Sequence, residues 1–155
     1  MSLRRKRMRR ALLFSIVSCF ISAQGGAAEI GPLTFQVKIG AILASNQGNE
    51  FDSRLAHLKK QLEVLKYRSY RLLKEESQKV QRKGNATFAI PGGRSLVVTP
   101  QESGTKQLAL RVHLQQGGKP LTDTTVRLDS GGNLLLGGYP HEGGALVISI
   151  SATAQ

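Results

Sequence analysis

The chain has 155 residues, with 22 Lys+Arg against 10 Asp+Glu, 40% hydrophobic residues, 17 glycines, one cysteine and no tryptophan. That length fits one domain of ordinary size, and the composition excludes wholesale disorder and a collagen-like repeat. A single cysteine excludes an intrachain disulfide framework and every multi-thiolate metal site.

Six of the basic residues lie within the first ten positions (Arg4, Arg5, Lys6, Arg7, Arg9, Arg10). They are followed by thirteen apolar or small residues, Ala11 to Ala23, and then by the small-residue stretch Gln24 to Ala28. A basic start, a short apolar core and a small-residue exit are the marks of a secretory signal peptide. Thirteen helical residues rise about 20 Å, short of the roughly 30 Å hydrocarbon core, so a spanning anchor is not expected. The expectation is a leader over residues 1–28 and a single β-rich domain over 29–155. Cleavage after Gly25 is the alternative. Arg9-Arg10 loosely resembles a twin-arginine signal, but nothing downstream asks for a cofactor inserted before export. Ile16-Val17-Ser18-Cys19 resembles a lipobox, which makes lipidation of Cys19 an alternative fate. Phe20 and Ile21 continue the apolar run past the cysteine and argue for simple cleavage instead.

Without the leader the charge balance changes. Residues 29–155 carry 16 basic and 10 acidic groups, a net charge of +6 rather than +12. Within them, residues 54–83 hold ten basic and three acidic groups, +7 in one segment, so the remainder is nearly neutral. The whole-chain charge therefore overstates any case for nucleic acid, and export argues against it.

In chain order, Leu33, Phe35, Val37 and Ile39 alternate with polar residues, as in a half-buried strand, and Ala41 to Ala44 extend it to the loop at Ser45–Asn49. Asp52 is placed to cap a helix. Phe51, Leu55, Leu58, Leu62 and Leu65 recur at gaps of 4, 3, 4 and 3 along one face, predicting an amphipathic helix over about 52–66. Residues 67–83 are ambiguous: Tyr70 and Leu72 suggest a strand, whereas KEESQKVQRK is made of good helix formers. A strand running into a long polar hairpin is favoured over a longer helix. Further strands follow around Phe88 and Ile90, Leu96 and Val98, Leu108 to Leu114, Thr124 to Leu128, Leu134 to Leu136, and Leu146 to Ile150. Glycine-rich turns separate them. About 7–8 short strands with one helix predict an α+β domain, mostly an antiparallel sheet or sandwich, with the helix over one face.

The search for chemistry is mostly negative. His57, His113 and His141 share no short ligand spacing, so no metal site is expected. No G-x-S-x-G occurs, and the favoured cleavage leaves no cysteine nucleophile. Asp129 and Glu142 flank glycine-rich turns, where Asp is more often a turn residue than an acid or base. Gly131-Gly132, Gly137-Gly138 and Gly143-Gly144 match no phosphate-binding pattern and are read as tight hairpins. No catalytic residues and no cofactor are expected. Tyr67 and Tyr70, interleaved with Arg68 and Arg71, are read as core-facing rings beside solvated cations rather than a stacking site. The residues with the best claim to a ligand are the cations Lys59, Lys60, Lys66, Arg68, Arg71, Lys74, Lys79, Arg82 and Lys83. A cluster of this kind would attract an anionic polymer or lipid headgroups.

One resemblance has a particular location. Leu96-Val97-Val98-Thr99-Pro100 and the later run Thr124-Thr125-Val126-Arg127-Leu128-Asp129-Ser130-Gly131-Gly132-Asn133-Leu134-Leu135-Leu136-Gly137-Gly138 resemble part of the conserved β-domain of the bacterial secretins, with its V-T-P strand and T-T-V-x-V-x-D-G-x-T-x-V-I-G-G hairpin. Ser130 is inserted in the D-G turn, and Asn133 stands where the family has Thr. The resemblance implies a related β-fold in the cell envelope and carries over no catalytic residue. The function expected is that of an exported, non-catalytic envelope domain, accessory to a secretion or surface assembly, whose partner is another envelope protein. Binding of an anionic polymer or lipid headgroups through 54–83 is the alternative.

Overall fold

A computed structural model describes residues 34–103 and 107–155. The expected leader, its Cys19 and the first strand residue Leu33 lie outside the described residues. Eight strands form two four-stranded sheets: β1 (Thr34–Ser45), β2 (Ser69–Gln81), β3 (Ala86–Ile90), β4 (Arg94–Ser103), β5 (Gln107–Gln116), β6 (Lys119–Asp129), β7 (Asn133–His141) and β8 (Gly144–Ala154). The first sheet runs β2-β1-β8-β7 and the second β3-β4-β5-β6, with every pairing between named strands antiparallel. The second sheet is a simple meander. The chain changes sheet twice, between β2 and β3 and between β6 and β7.

The alternation read from the sequence supplies the main core. Phe35, Val37, Ile39 and Ala41 of β1 and Leu146, Ile148, Ile150 and Ala152 of β8 face Phe88, Leu96, Val98, Leu108, Leu110, Val112 and Leu114 of the second sheet, all fully or almost fully buried. Period-2 alternation puts one side of each strand into this layer, and burial of a side chain of this size stabilises by about 1.5–3 kcal/mol before entropy is counted.

A smaller core lies on the other side of the first sheet. Ile42, Ala44, Tyr70, Leu72 and Val147 form its floor, and Leu55, Leu58 and Leu62 form its lid. The lid is shorter than the predicted helix. It opens as a 3-10 turn over Ser53–Leu58 and continues as one α-helical turn, α1 (Lys59–Glu63). Asp52 caps it as expected, accepting from the backbone N–H of Arg54 at 3.0 Å. Leu65 and Val64 are exposed, and Lys66 turns the chain at φ 60°. The apolar spacing continued to Leu65, but Tyr70 ends the element: its hydroxyl donates to the Leu62 carbonyl at 2.6 Å and accepts from the Tyr67 N–H at 3.1 Å.

The ambiguous segment is a strand. β2 pairs with β1 along its whole length, with one irregularity where Lys74 faces Ala41 and Leu72 faces Ile42. Leu73 is therefore the extra residue of a β-bulge. Its effect is to exchange faces. Val80 packs in the main core, and strict alternation would put Tyr70 and Leu72 on that side as well. The bulge carries them to the opposite face, under the helical lid.

Two of the three glycine-pair readings are corrected, while Gly143-Gly144 does sit at the tight β7–β8 hairpin. Gly131-Gly132 lies in the crossing between sheets rather than in a hairpin: Leu128 pairs with Leu108 of β5, whereas Asn133 pairs with Ser151 of β8. The two arms of the secretin-like run thus belong to different sheets. Gly137-Gly138 does not end β7. The strand continues through a bulge there, with Gly138 at φ 98°. The β7–β8 turn is made by Glu142 and Gly143, at φ 43° and 74°.

Candidate interaction surfaces

A sandwich of two open sheets leaves four edge strands, and unpaired edges invite further strands. Here β2 and β3 lie along one flank and β6 and β7 along the other. They are treated very differently.

The β2–β3 flank is closed by side chains. Lys74, Glu76 and Gln78 face Ala41, Ile39 and Val37 across β1 and so point inward, toward the second sheet. Lys74 Nζ donates to the Ala89 carbonyl at 2.7 Å, and Gln78 Nε2 donates to the Thr87 carbonyl at 2.8 Å. Both acceptors belong to β3, the edge of the facing sheet. Glu76 holds the two donors in place: Gln78 Nε2 donates to it at 3.0 Å and Lys74 Nζ lies 3.1 Å away. The hydrogen bond from Gln78 first, and then that from Lys74, hold the Glu76 carboxyl below its ordinary pKa. At its start, β2 is covered by the segment before the helical lid, where Tyr70 N–H donates to the Glu50 carbonyl and Asp52 N–H donates to the Tyr70 carbonyl, each at 2.9 Å. Asp52 Oδ2 accepts from the Leu72 N–H at 3.1 Å. The Arg54 guanidinium, bonded to both oxygens of Asp52, holds that carboxyl well below the usual carboxylate range.

Among the described residues, the β6–β7 flank has no comparable plug. One hydrogen bond joins the hydroxyls of Thr122 and Tyr139 at 2.5 Å. Leu121, Val126, Leu134, Leu136 and Tyr139 pack on the main core but remain only partly buried. Thr124 shares its face of β6 with Val126 and Leu128 and is nevertheless exposed. Asp123, on the outward face of β6, accepts from Arg111 of β5 through both oxygens at 3.2 and 3.1 Å, and His113 Nδ1 lies 3.6 Å away. The Arg111 pairing, more than His113, lowers the Asp123 carboxyl pKa.

One end of the sandwich carries a buried guanidinium. Arg94 is 7% exposed. Its Nη1 donates to the Pro91 carbonyl at 2.9 Å and its Nη2 to the Pro140 carbonyl at 2.8 Å, tying the β3–β4 turn to β7. The guanidinium carbon lies 5.9 Å from the centre of the Tyr139 ring, and Nε has no acceptor among the described residues.

The nine cations singled out from the sequence are not brought into one patch. Lys59 and Lys60 sit on α1, with Lys59 Nζ 5.8 Å from the centre of the Phe51 ring. Lys66 and Arg68 follow at the same end, Arg68 bonded to Asn49. Arg71 is exposed near the start of β2, Lys74 is committed to Glu76 and β3, and Lys79, Arg82 and Lys83 lie at the far end. A strand the length of β2 spans roughly 40 Å, several Debye lengths at physiological salt. Tyr70 is buried and Tyr67 partly so, while Arg68 and Arg71 are exposed. The three histidines lie on the helical lid, β5 and the end of β7, and the described residues contain no group of three or more His, Cys, Asp or Glu able to hold a metal. Asp129 and Glu142 stand at opposite ends of β7. The flank asymmetry was missed from sequence because it depends on which strands become edges, though the lack of charge from Asn133 to Pro140 was a signal available there.

No family model and no curated protein matches the chain. Among solved structures, the type II secretion system secretin XcpQ from Pseudomonas aeruginosa matches with a TM-score of 0.37 and 11% identity, over 79% of this chain and 56% of that one. The type II secretion system secretin GspD of E. coli K12 matches with a TM-score of 0.38 and 12% identity, over 79% of this chain and 49% of that one. The chain thus weakly resembles secretin domains and spans about half the length of the secretin chains it matches. No helix among the described residues is long and apolar enough to cross a membrane.

Proposed function

We propose that this chain is an exported, non-catalytic interaction domain of the cell envelope that binds another protein along its β6–β7 flank. The observation that supports this most is the contrast between flanks: polar side chains seal β2 against β3, while β6 and β7 present partly buried apolar groups beside unpaired backbone. Strand addition uses such an edge, drawing affinity from main-chain hydrogen bonds and specificity from alternate side chains. The resemblance of residues 96–138 to secretins suggests a secretion or surface assembly as the setting.

Photo-crosslinking residues at Thr125 and Asn133, compared with Ser77 and Lys79 on the closed side, test this in producing cells. Adducts from the first pair only, of defined mass and persisting at about 0.5 M salt, are expected. Adducts from the second pair that vanish with salt would instead point to an anionic polymer or lipid headgroup bound through the basic segment. N-terminal analysis of the fractionated protein tests export separately. A start near Glu29 or an acylated Cys19 agrees with it, and an unprocessed Met1 in the cytoplasm overturns it.

A further inference from the structure

The four edges differ in charge as well as in closure. β2 carries Arg71, Lys74, Glu75, Glu76 and Lys79, and its first residues are covered by Glu50–Asp52. β3 has no charged side chain, but its Thr87 and Ala89 carbonyls are occupied by Gln78 and Lys74. β6 carries Lys119, Asp123, Arg127 and Asp129. These are the ordinary protections of an edge: charge, cover and inward-pointing polar groups. Over Asn133 to Gly137, β7 has none of them among the described residues; only its far end is protected, by the bulge at Gly138, by Pro140 and by the Arg94 guanidinium on the Pro140 carbonyl. From Asn133 to Pro140 it reads NLLLGGYP, without a single charge, and Leu134, Leu135 and Leu136 are each only partly buried. Leu134 and Leu136 pack toward the main core, while Leu135 packs on the opposite face beside the small core under the helical lid.

We infer that β7 is the edge on which a second copy of this chain docks, antiparallel about a two-fold axis through Leu135. This rests on the edge-binding reading above and names its occupant. A partner strand for β7 should be uncharged and apolar on both faces, and among the described edges β7 itself is the one that meets this condition and is uncovered. Pairing about Leu135 sets the two copies of that residue opposite each other and each Leu134 opposite a Leu136. No like charges meet, whereas opposed like charges destabilise a strand pair. The two sheets then join into one of eight strands, β2-β1-β8-β7 followed by the same order reversed, with an isologous contact that closes at two copies. The bulge at Gly138 and the missing N–H of Pro140 limit the ladder to about five residues, Asn133 to Gly137. A contact this small belongs to the weak end of interface sizes, so micromolar dimerisation is expected. Because residues 29–155 carry a net +6 while β7 is neutral, the copies repel at long range, and added salt should strengthen the association.

Sedimentation velocity of the protein purified from cells producing the full chain is the test. A monomer–dimer equilibrium that tightens with salt is expected, weakened about tenfold or more by Leu135→Lys. Should that variant fail to fold, Leu135→Cys in a Cys19→Ser background gives an independent reading. Opposed residues of an antiparallel pair have Cβ atoms about 4.5–5.5 Å apart, close to disulfide range, so mild oxidation should yield a covalent dimer. Thr87→Cys on β3, in the same background, should not. A monomer at every concentration with no such disulfide overturns the second-copy inference. If crosslinks from the β6–β7 flank then capture a different protein, the proposed function stands; if they capture nothing, both fall.

Discussion

The two flanks of this sandwich solve the same problem in opposite ways. Along β2 and β3, three consecutive inward positions that would ordinarily be apolar are Lys74, Glu76 and Gln78; the first and last donate to the backbone of the facing edge, and Glu76 holds both donors in place. Along β6 and β7, the inward positions are apolar or hydroxyl-bearing, all but Leu128 incompletely covered, and joined among the described residues by one hydroxyl pair. The first arrangement trades apolar burial for satisfied hydrogen bonds and leaves little for a new strand to gain. The second keeps apolar surface and unpaired backbone accessible, which is what strand addition requires.

Core truncations should break the comparison most forcefully. Phe88→Ala removes a fully buried ring next to the closed flank and should cost about 3–5 kcal/mol in chemical denaturation. Leu134→Ala on the open flank removes a partly buried side chain and should cost about 1–2 kcal/mol. Equal losses would show that β7 is as firmly packed as β3. Next in size is the combined Lys74→Ala, Gln78→Ala change, which leaves the Thr87 and Ala89 carbonyls without donors and should cost about 0.5–1.5 kcal/mol for each bond. It should also raise the aggregation rate at neutral pH, because it uncovers β3. Stability lost without aggregation would mean that the plug holds the sheets together but does not protect the edge.

Acid should open the closed flank. The pKa values of Glu76, Asp52 and Asp123 are all lowered by their donors. Their contribution to stability is therefore complete above the carboxylate pKa of the unfolded chain, about 4, and is lost as pH falls through the lower folded values. The melting temperature should be flat from pH 7 to about 5 and fall below 4, with Glu76→Gln flattening part of that decline. The smallest effect expected is that of Asp52→Ala. It removes the cap on the Arg54 N–H and the tie from the lid to the Leu72 N–H, so amide exchange should quicken in residues 53–63 and at Leu72 while β4 and β5 remain protected.

Much of the fold was legible because its signals are local. Alternation at Phe35–Ile39 and at Leu108–Leu114 is the direct imprint of one buried face, and Asp52 followed by the Leu55, Leu58 and Leu62 spacing marks a capped amphipathic element. The helix was overextended by a few residues because its stop is a tertiary contact, the Tyr70 hydroxyl on the Leu62 carbonyl. Two of the glycine pairs, Gly131-Gly132 and Gly137-Gly138, were misread for a similar reason. A glycine permits a turn, a bulge and a change of sheet alike, and pairing partners decide among them.

The amino-acid sequence by itself determined that the chain makes many antiparallel strands, one small amphipathic lid and a core built from alternating apolar residues, because those properties follow from side-chain period and turn chemistry. It also determined that Asn133–Pro140 would be uncharged. Only the tertiary structure decided which strands became edges, that one bulged residue, Leu73, would turn Tyr70 and Leu72 to the opposite face from Val80, and that a run of helix-forming polar residues would become the seal of one flank. Those outcomes depend on pairing between residues far apart in the chain, and no local preference encodes the partner across the gap.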